Sequence, residues 1–560
     1  MSKRNGLLLL LALAAMFLIL NRAAYKGYFT DDDFDHLSWT RHAPLIGFVE
    51  SLLTPVYQSN NFRPVGHLFY HLEAHFFGFD FQKYLMATHL LHFLNVWLVW
   101  LLARRLGARP WGAAAGCALF ALHLGYFEAV WKPAYIFDIL CATLCLLSLL
   151  CYVRGRWIVS FLCFWLAYKA KELAVMLPFV LACYELWFGR KRWKPLVPFF
   201  LVSFSFALQA LVLKPNTGDD NPYTFHFTLE ALAVTGLFYA GRIFLAPYLG
   251  LAVPIAARFS GNRRIWFGVS ALLLFLFPVL FLPGRIETAY CYLPFTGLAI
   301  AMAGATELCH PAVIAAFFAL FLPWQLHDLR IERRDTLTKA DDARSWVTTW
   351  GQYAAGAGKV DTFLWSGAPW GFGSFGIEGA IKCLYPGDRF TIRHYDRPPV
   401  ATEPDRVTYL TWNEGLHKLD IVAHTPETRD ASYIDANIAT PIWQLGEGWS
   451  SPEGGFRWIA PQTTARLNRP EGAAGFELRV LANTTLLQGV GPVTVRVSLD
   501  GADLPPQRVT EPGWHVLSWD LPAAPAGETG VTIRTEPPFR TPGDPRALGI
   551  AVGSFGFKGK

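Results

Sequence analysis

The stretch GLLLLLALAAMFLIL (Gly6–Leu20), followed closely by YFTDDDF (Tyr28–Phe34), sets the terms for the whole chain. A run of aliphatic side chains favours hydrocarbon, whereas three adjacent carboxylates, Asp31, Asp32 and Asp33, require water or a counter-charge. A membrane boundary is therefore expected between them. Mutual repulsion predicts that at least one of the three acids carries a raised pKa or meets a cation. Lys3 and Arg4 ahead of the apolar run also resemble the start of a signal peptide. An uncleaved anchor is preferred, because the acidic loop follows at once and the remaining topology closes with it.

Outward from this stretch the pattern repeats. The 560 residues are 53% hydrophobic and 15% aromatic, and 16% are charged, well below the share of a soluble domain. Apolar stretches recur at 6–24, 83–103, 111–127, 135–153, 157–168, 172–188, 196–213, 229–249, 265–283, 289–305 and 311–326. They predict a polytopic α-helical membrane protein of about eleven spans, some short enough to be broken. Alternate connections carry Lys3/Arg4, Arg104/Arg105/Arg109, Arg154/Arg156, Arg190/Lys191/Arg192/Lys194 and Arg258/Arg263/Arg264, which the positive-inside rule assigns to the cytoplasm. The opposite connections (25–82, 128–134, 169–172, 214–228 and 285–288) then face outward. Everything after residue 327 follows them to the periplasm of a bacterial inner membrane, or its equivalent. The net charge of +6 lies in these anchors, so no nucleic-acid partner is implied. Eight of the nine cysteines lie in or beside apolar spans, and no disulfide framework or metal-ligand spacing emerges.

The last third is polar and rich in Gly and Pro. Residues 1–327 are read as the membrane domain, with a first outer loop at 25–82, and 328–440 as a small mixed α/β segment. In 441–560, alternation at Phe476–Leu481, Val493–Leu499, His515–Trp519 and Val531–Arg534, with an Asp500-Gly501 turn, predicts a jelly-roll-like β-sandwich.

The polar motifs all fall on the outward face. In order they are Thr30-Asp31-Asp32-Asp33, Asn61-Phe62-Arg63-Pro64-Val65, His123 with Glu128-Ala129-Val130 and Asp138, Lys171-Glu172, and Tyr290-Cys291-Tyr292-Leu293-Pro294. This series resembles the GT-C glycosyltransferases, most nearly the branch of the transmembrane-and-TPR O-mannosyltransferases and their bacterial relatives, over residues 25–300. The resemblance implies an enzyme that takes a sugar from a polyprenyl-phosphate carrier at the outer membrane face. The family's acidic pair falls on Asp32 and Asp33, the expected catalytic residues. Asp31, Arg63, His123, Glu128, Asp138, Lys169, Lys171, Glu172, Arg285, Tyr290 and Tyr292 form the expected substrate- and donor-binding set. The chain departs from the family at Ile136 and Ala289, where Arg is usual, with Arg285 the candidate substitute for the second. The TPR repeats are absent.

The chemistry agrees. Glycosyl transfer needs a base for the acceptor hydroxyl and positive charge for the departing lipid phosphate. Expected partners are a lipid-linked sugar donor, a protein, glycan or lipid acceptor, and membrane lipids. No cofactor is expected; a divalent cation at the carboxylates is the lesser alternative, since no further ligands cluster. Competing readings are a glycolipid transporter or flippase, disfavoured by charges crowding one face, and a non-catalytic carbohydrate-binding scaffold. His67, His71 and His75 recur on one helical face and are expected to form its polar side rather than a metal site. Trp39, Trp111, Trp131 and Trp157 read as interfacial belt residues. Core packing is preferred to a sugar platform for Trp449, Trp458 and Trp514.

Overall fold

The computed structural model describes residues 3–55, 62–212, 221–387, 389–395, 406–437, 439–541 and 546–558, so Asn61 and the start of the 214–228 loop lie outside the described residues. The chain is a helical membrane-type protein with a β-rich C-terminal region. It forms two compact units, Met1–Ala340 and Asp341–Lys560.

In the first unit, Phe81–Arg105, Pro133–Val153, Arg263–Phe281 and Thr288–Ala305 are each long and apolar enough to cross a membrane. Two further pairs pass the same test but are bent: Leu229–Phe244 with Leu249–Ser260 by 89°, and Pro311–Asp328 with Arg330–Ala354 by 43°. Leu8–Leu20, Pro110–Leu122, Trp157–Ala170 and Lys194–Ala210 are shorter apolar helices. The breaks have local causes. The stretch expected at 111–127 stops at Leu122 and resumes as Phe127–Trp131, because His123 turns extended between them. The stretch expected at 229–249 ends where Leu245 and Tyr248 take left-handed φ values of 51° and 64°. Among its described residues the segment 25–82 is largely helical, comprising Asp31–Thr40, Leu45–Leu53 and Pro64–Phe77.

Helices in hydrocarbon gain nothing from burying one another's apolar faces, so close backbone approach does much of the work. Gly112 and Gly116 set the Pro110–Leu122 helix against Ala303 and Ala299 of the Tyr292–Ala305 helix. Gly268 and Gly297 face each other across the Arg263–Leu276 and Tyr292–Ala305 helices, with no room for a Cβ on either. Gly66 does the same for Pro64–Phe77, where a Cβ would overlap the Phe137 ring. This last contact matters most here, because it carries Arg63 alongside Asp138.

One expected belt residue is placed differently. Trp131 is 3% exposed and donates to Asn21 Oδ1 at 2.8 Å, so it is a packed residue and not part of an interfacial belt.

The second unit begins with a four-stranded sheet in the order Thr391–His394, Thr362–Ser366, Val407–Asn413, Lys418–His424; the first three run parallel and the last antiparallel. Two antiparallel sheets follow. One is built on Gly513–Asp520, Gly475–Ala482 and Ala551–Lys558, the other on Val493–Leu499, Gly527–Glu536 and Gln462–Arg469. Alternate side chains of both, such as Phe476, Leu478 and Val480 from one and Val493, Val495 and Val497 from the other, enter a single buried cluster. Trp449 and Trp458 belong to that cluster, while Trp514 stays 42% exposed under the Arg479 guanidinium.

The glycine contacts give opposite signs at different positions. Gly297→Ala and Gly268→Ala should each destabilise the detergent-solubilised protein by about 1–3 kcal/mol, the usual penalty of overpacking. Gly236→Ala, in a helix with nothing within 4 Å of the new Cβ, should leave stability unchanged or raise it. Thermal unfolding of the three variants measures this, and equal effects at all three would refute the close-approach argument.

Candidate active site

The Asp31–Thr40 helix begins at Thr30, and its first turn is the acidic triplet, where negative charge is favoured by the helix dipole. The three acids have different fates. Asp33 is fully buried; one oxygen, Oδ2, accepts from the Thr30 backbone N–H at 2.6 Å and the Thr30 hydroxyl at 2.8 Å. Its other oxygen, Oδ1, accepts from the Tyr70 hydroxyl at 2.6 Å. Burial pushes the Asp33 carboxyl up to about 6, against the pull of these hydrogen bonds, and the neighbouring Asp32 charge adds a smaller rise. The rise expected from repulsion is thus present but comes mainly from burial. Asp31 is half-buried. Asp32 is exposed and, among the described residues, makes no side-chain hydrogen bond or ion pair. Its charge acts on Tyr70, Tyr135 and Tyr223.

Two ion pairs cross between elements. Arg63 Nε lies 2.9 Å from Glu172 Oε1 and 3.2 Å from Oε2. Lys171 Nζ lies 2.5 Å from Asp138 Oδ2. Adjacent residues can serve different partners because the chain leaves the Trp157–Ala170 helix with Lys171 fully extended, at φ −161° and ψ 145°. Asp138 sits in the first turn of Ile136–Val153. Arg63 immediately precedes Pro64 at the start of its helix, its N–H donates to His67 Nδ1 at 3.0 Å, and its guanidinium stands 5.6 Å over the Phe137 ring. Burial pushes the Glu172 carboxyl up, but Arg63, a backbone hydrogen bond and Lys171 together hold the group below its ordinary value. The Lys171 and Asp138 side chains are only 11% and 3% exposed, so removing one partner would strand a charge at a cost of about 3–5 kcal/mol.

Tyr290 joins this group. Lys171 Nζ stands 4.4 Å from its ring centroid, and the nearby Arg285 guanidinium lies 4.7 Å over the Tyr223 ring. The Arg285 Nε is buried without a hydrogen-bond partner among the described residues. Arg63 offers a similar opening, since its pair with Glu172 uses only Nε.

Glu128 lies beside this group in a cluster of its own. It accepts from Lys132 Nζ and from Thr288 Oγ1, each at 2.6 Å. Burial pushes the Glu128 carboxyl up, but Lys132, Thr288 and Arg242 together hold it below the ordinary value. The Tyr135 hydroxyl donates to Glu287 at 2.9 Å, and burial and the Glu128 charge push the Glu287 carboxyl up. Sequence reasoning missed Lys132, Tyr135, Thr288, Tyr223 and Glu287. Only Glu287 left a signal, as an acid two residues from Arg285 at a span end.

Three expected site residues stand outside the charged group. His123 accepts from the Gly125 N–H at Nδ1, and its Nε2 lies 2.9 Å from the Ile243 carbonyl, fixing the unwound link before Glu128. Tyr292 bonds His92 at 2.8 Å and Asn95 at 3.1 Å in the helical core. Lys169 donates to the Thr54 carbonyl at 2.6 Å. The histidine face is polar packing: His67 Nε2 lies 3.3 Å from His36 Nδ1, and His71 Nδ1 lies 2.9 Å from the Thr40 carbonyl. Among the described residues no three His, Cys, Asp or Glu side chains gather as a metal-ion set.

No protein-family model matches this sequence, and no curated protein matches it. Among solved structures, ArnT from Cupriavidus metallidurans bound to undecaprenyl phosphate is similar at 14% identity and a TM-score of 0.43, over 73% of this chain and 93% of that one. The arabinosyltransferase EmbB from Mycobacterium smegmatis is similar at 12% identity and a TM-score of 0.31, over 98% of this chain and 64% of that one.

The raised Asp33 group has a signed consequence. Its protonated form is favoured in the folded state, so its contribution is fully present below the unfolded pKa near 4 and is lost as pH rises through about 6. The stability difference between the wild type and Asp33→Asn should therefore shift against the wild type between pH 4.5 and pH 7, by up to about 2–3 kcal/mol. Paired thermal melts across that window measure it; a difference that is flat or moves the other way would refute the assignment.

Proposed function

We propose that this chain is a glycosyltransferase of the GT-C type, moving a sugar from a polyprenyl-phosphate-linked donor to an acceptor at the outer face of the membrane. One observation carries the reading. Sequence segments as far apart as Arg63 and Tyr290 meet in one partly buried charged group, where acids and cations face each other through Arg63–Glu172, Lys171–Asp138 and Lys171–Tyr290. Structural packing alone would not call for a buried Arg285 Nε with no hydrogen-bond partner among the described residues.

In this proposal Asp32 is the base. It takes the proton of the acceptor hydroxyl while that oxygen bonds to the anomeric carbon, and the bond from that carbon to the phosphate oxygen breaks. The products are the glycosylated acceptor and the polyprenyl phosphate. The negative charge of that phosphate is met by Arg285, Lys171 and the terminal nitrogens of Arg63, and no cofactor is required. Asp33, with both oxygens occupied, acts as a positioning residue that fixes the first turn from which Asp32 projects. Asp138 and Glu172 orient the two cations. His123 and Tyr292 support the fold of the site, and Asp31 lies at its edge. The Lys- and Arg-rich connections lie at the far ends of the same helices, for example Arg154 and Arg156 opposite Asp138, which supports a non-cytoplasmic position for this site.

Asp32→Asn should preserve folding and donor binding and lower turnover about a hundredfold, the usual effect of losing a general base. Asp33→Asn should lose stability before it loses chemistry. If Asp32→Asn keeps wild-type turnover while Glu128→Gln abolishes it, Glu128 is the base instead.

Lys171→Ala should weaken donor binding by about tenfold or more, the value of a charge-assisted contact to phosphate. Titration of the purified chain with a radiolabelled polyprenyl-phosphate sugar measures this, and unchanged affinity in both Lys171→Ala and Arg285→Ala would remove the phosphate-binding assignment.

A further inference from the structure

The basic connections of this chain are not all used alike. At two of them part of the charge is tied into protein. The Arg104 guanidinium donates to the Ala108 carbonyl. Arg264 donates to the Leu106 carbonyl at 3.1 Å and pairs with Glu307. The other two carry Arg154 and Arg156, and Arg190, Lys191, Arg192 and Lys194, all of them exposed. Among the described residues, none of these six side chains makes a hydrogen bond or an ion pair. The positive-inside bias explains why cations stand at this end of the helices. It does not explain why all six are left open in two loops that the fold ties together.

The tie is a buried acid. Glu185 lies in the last turn of Leu177–Trp187 and is 5% exposed. Its Oε1 accepts from the Tyr152 hydroxyl at 3.0 Å, and its Oε2 from the Arg192 backbone N–H at 2.9 Å. The Tyr152 hydroxyl also lies 3.5 Å from the Arg192 carbonyl, and Tyr152 stands two residues before Arg154. A Cβ on Gly189 would overlap Glu185 Oε2, and Lys191 takes a left-handed φ of 54°. Both oxygens of this carboxylate are therefore spent on backbone shape, and the cations stay at the surface. An apolar slope begins at the same level. Trp157–Ala170 and Val197–Val212 both start from these loops and pack through Phe161 and Phe164 on Phe199, at 5.3 and 5.2 Å. Trp157 and Trp193, each 46% exposed, stand beside the cations, and Ile158, Leu162 and Leu201 continue exposed apolar surface along the same two helices.

We propose that the Arg154–Arg156 and Arg190–Lys194 loops together form a binding site for an anionic phospholipid. Its phosphodiester is met by the six cations, and its acyl chains lie along Ile158, Leu162 and Leu201. Charge selects the headgroup: each Lys or Arg beside an anionic lipid surface strengthens the attraction about fivefold, whereas a zwitterionic headgroup brings a cation of its own. The positive ends of the two helix dipoles point into the same loops and favour the same sign. Trp157 and Trp193 suit the level between headgroup and chain, because an indole joins an apolar body to a polar N–H. The site lies at the end of Ile136–Val153 away from Asp138, so it is separate from the charged group described above and does not rest on the transferase reading.

The test is native mass spectrometry of the full detergent-solubilised chain, titrated with phosphatidylglycerol or with phosphatidylcholine of the same acyl chains. The wild type should bind its first phosphatidylglycerol about tenfold or more tightly than phosphatidylcholine. Arg154→Gln/Arg156→Gln and Arg190→Gln/Lys194→Gln should each cut that preference severalfold. Arg105→Gln/Arg109→Gln removes the same charge from another exposed connection and should leave the preference unchanged. All six substituted side chains are exposed, so each variant should melt with the wild type. Equal losses in the three variants would reduce the effect to overall charge and overturn the proposal, as would a wild type with no preference. Glycerophosphoglycerol, the same headgroup without chains, should not compete. If it displaces the lipid at equal concentration, the loops take a soluble anion and the lipid assignment falls.

Discussion

The site depends on the extended backbone at Lys171. A helix that ran on past Ala170 would point Lys171 and Glu172 about 100° apart around one axis, and both could not reach their present partners. The break lets Lys171 reach Asp138 while Glu172 takes Arg63, so that three elements distant in sequence are fixed by two short ion pairs. Such pairs contribute little net stability once desolvation is counted, but breaking either is expensive. What they supply is geometry: they hold two cations near Tyr290. The glycine contact of Gly66 with Phe137 is the apolar counterpart, since it brings the Arg63 helix close enough for the pairs to form.

Most of this was legible in the sequence as a set of types and an order. The acidic triplet, Arg63-Pro64, Asp138 and Lys171-Glu172 stood out because charged residues at the ends of apolar runs are costly unless used. The strands were equally readable, because period-two alternation over Val493–Leu499 or Phe476–Leu481 matches a half-buried strand and no helical repeat. Pairing was not legible. Nothing in the spacing tells that Arg63 takes Glu172 rather than Asp138, since that choice belongs to the backbone at Lys171. His123 and Tyr292 looked like site residues for the same reason that Asp138 did, yet their partners are backbone carbonyls and core polar groups. Lys132, Tyr135 and Thr288 carry no pattern at all and are found only by where the folded chain puts Glu128 and Glu287.

The acidic triplet shows how one sequence feature can hold several physical roles. Three identical side chains in the first turn of one helix project in directions about 100° apart. One of them, Asp33, must face inward, and there it caps Thr30 and meets Tyr70. Its neighbour Asp32 is turned by the same geometry toward the open side. The helix repeat therefore separates a buried carboxyl, which burial pushes up, from an exposed one without any difference in residue type. Repulsion within the triplet, the natural inference from the sequence, is the lesser effect, because the low polarity around Asp33 acts on it more strongly than Asp32 does.

The broken helices bear on the same problem. A charged group beside hydrocarbon needs backbone dipoles and side chains that can turn toward it, and a continuous helix offers neither along its length. In this chain the interruptions fall at His123–Tyr126, at Lys171–Met176 and before Tyr292, and each delivers a polar residue to the charged region: Glu128, Lys171 with Glu172, and Thr288 with Tyr290. The short apolar helices that make span counting difficult are thus a consequence of the site. Length given up from regular helix brings irregular backbone, and the polar side chains it carries, into this charged group.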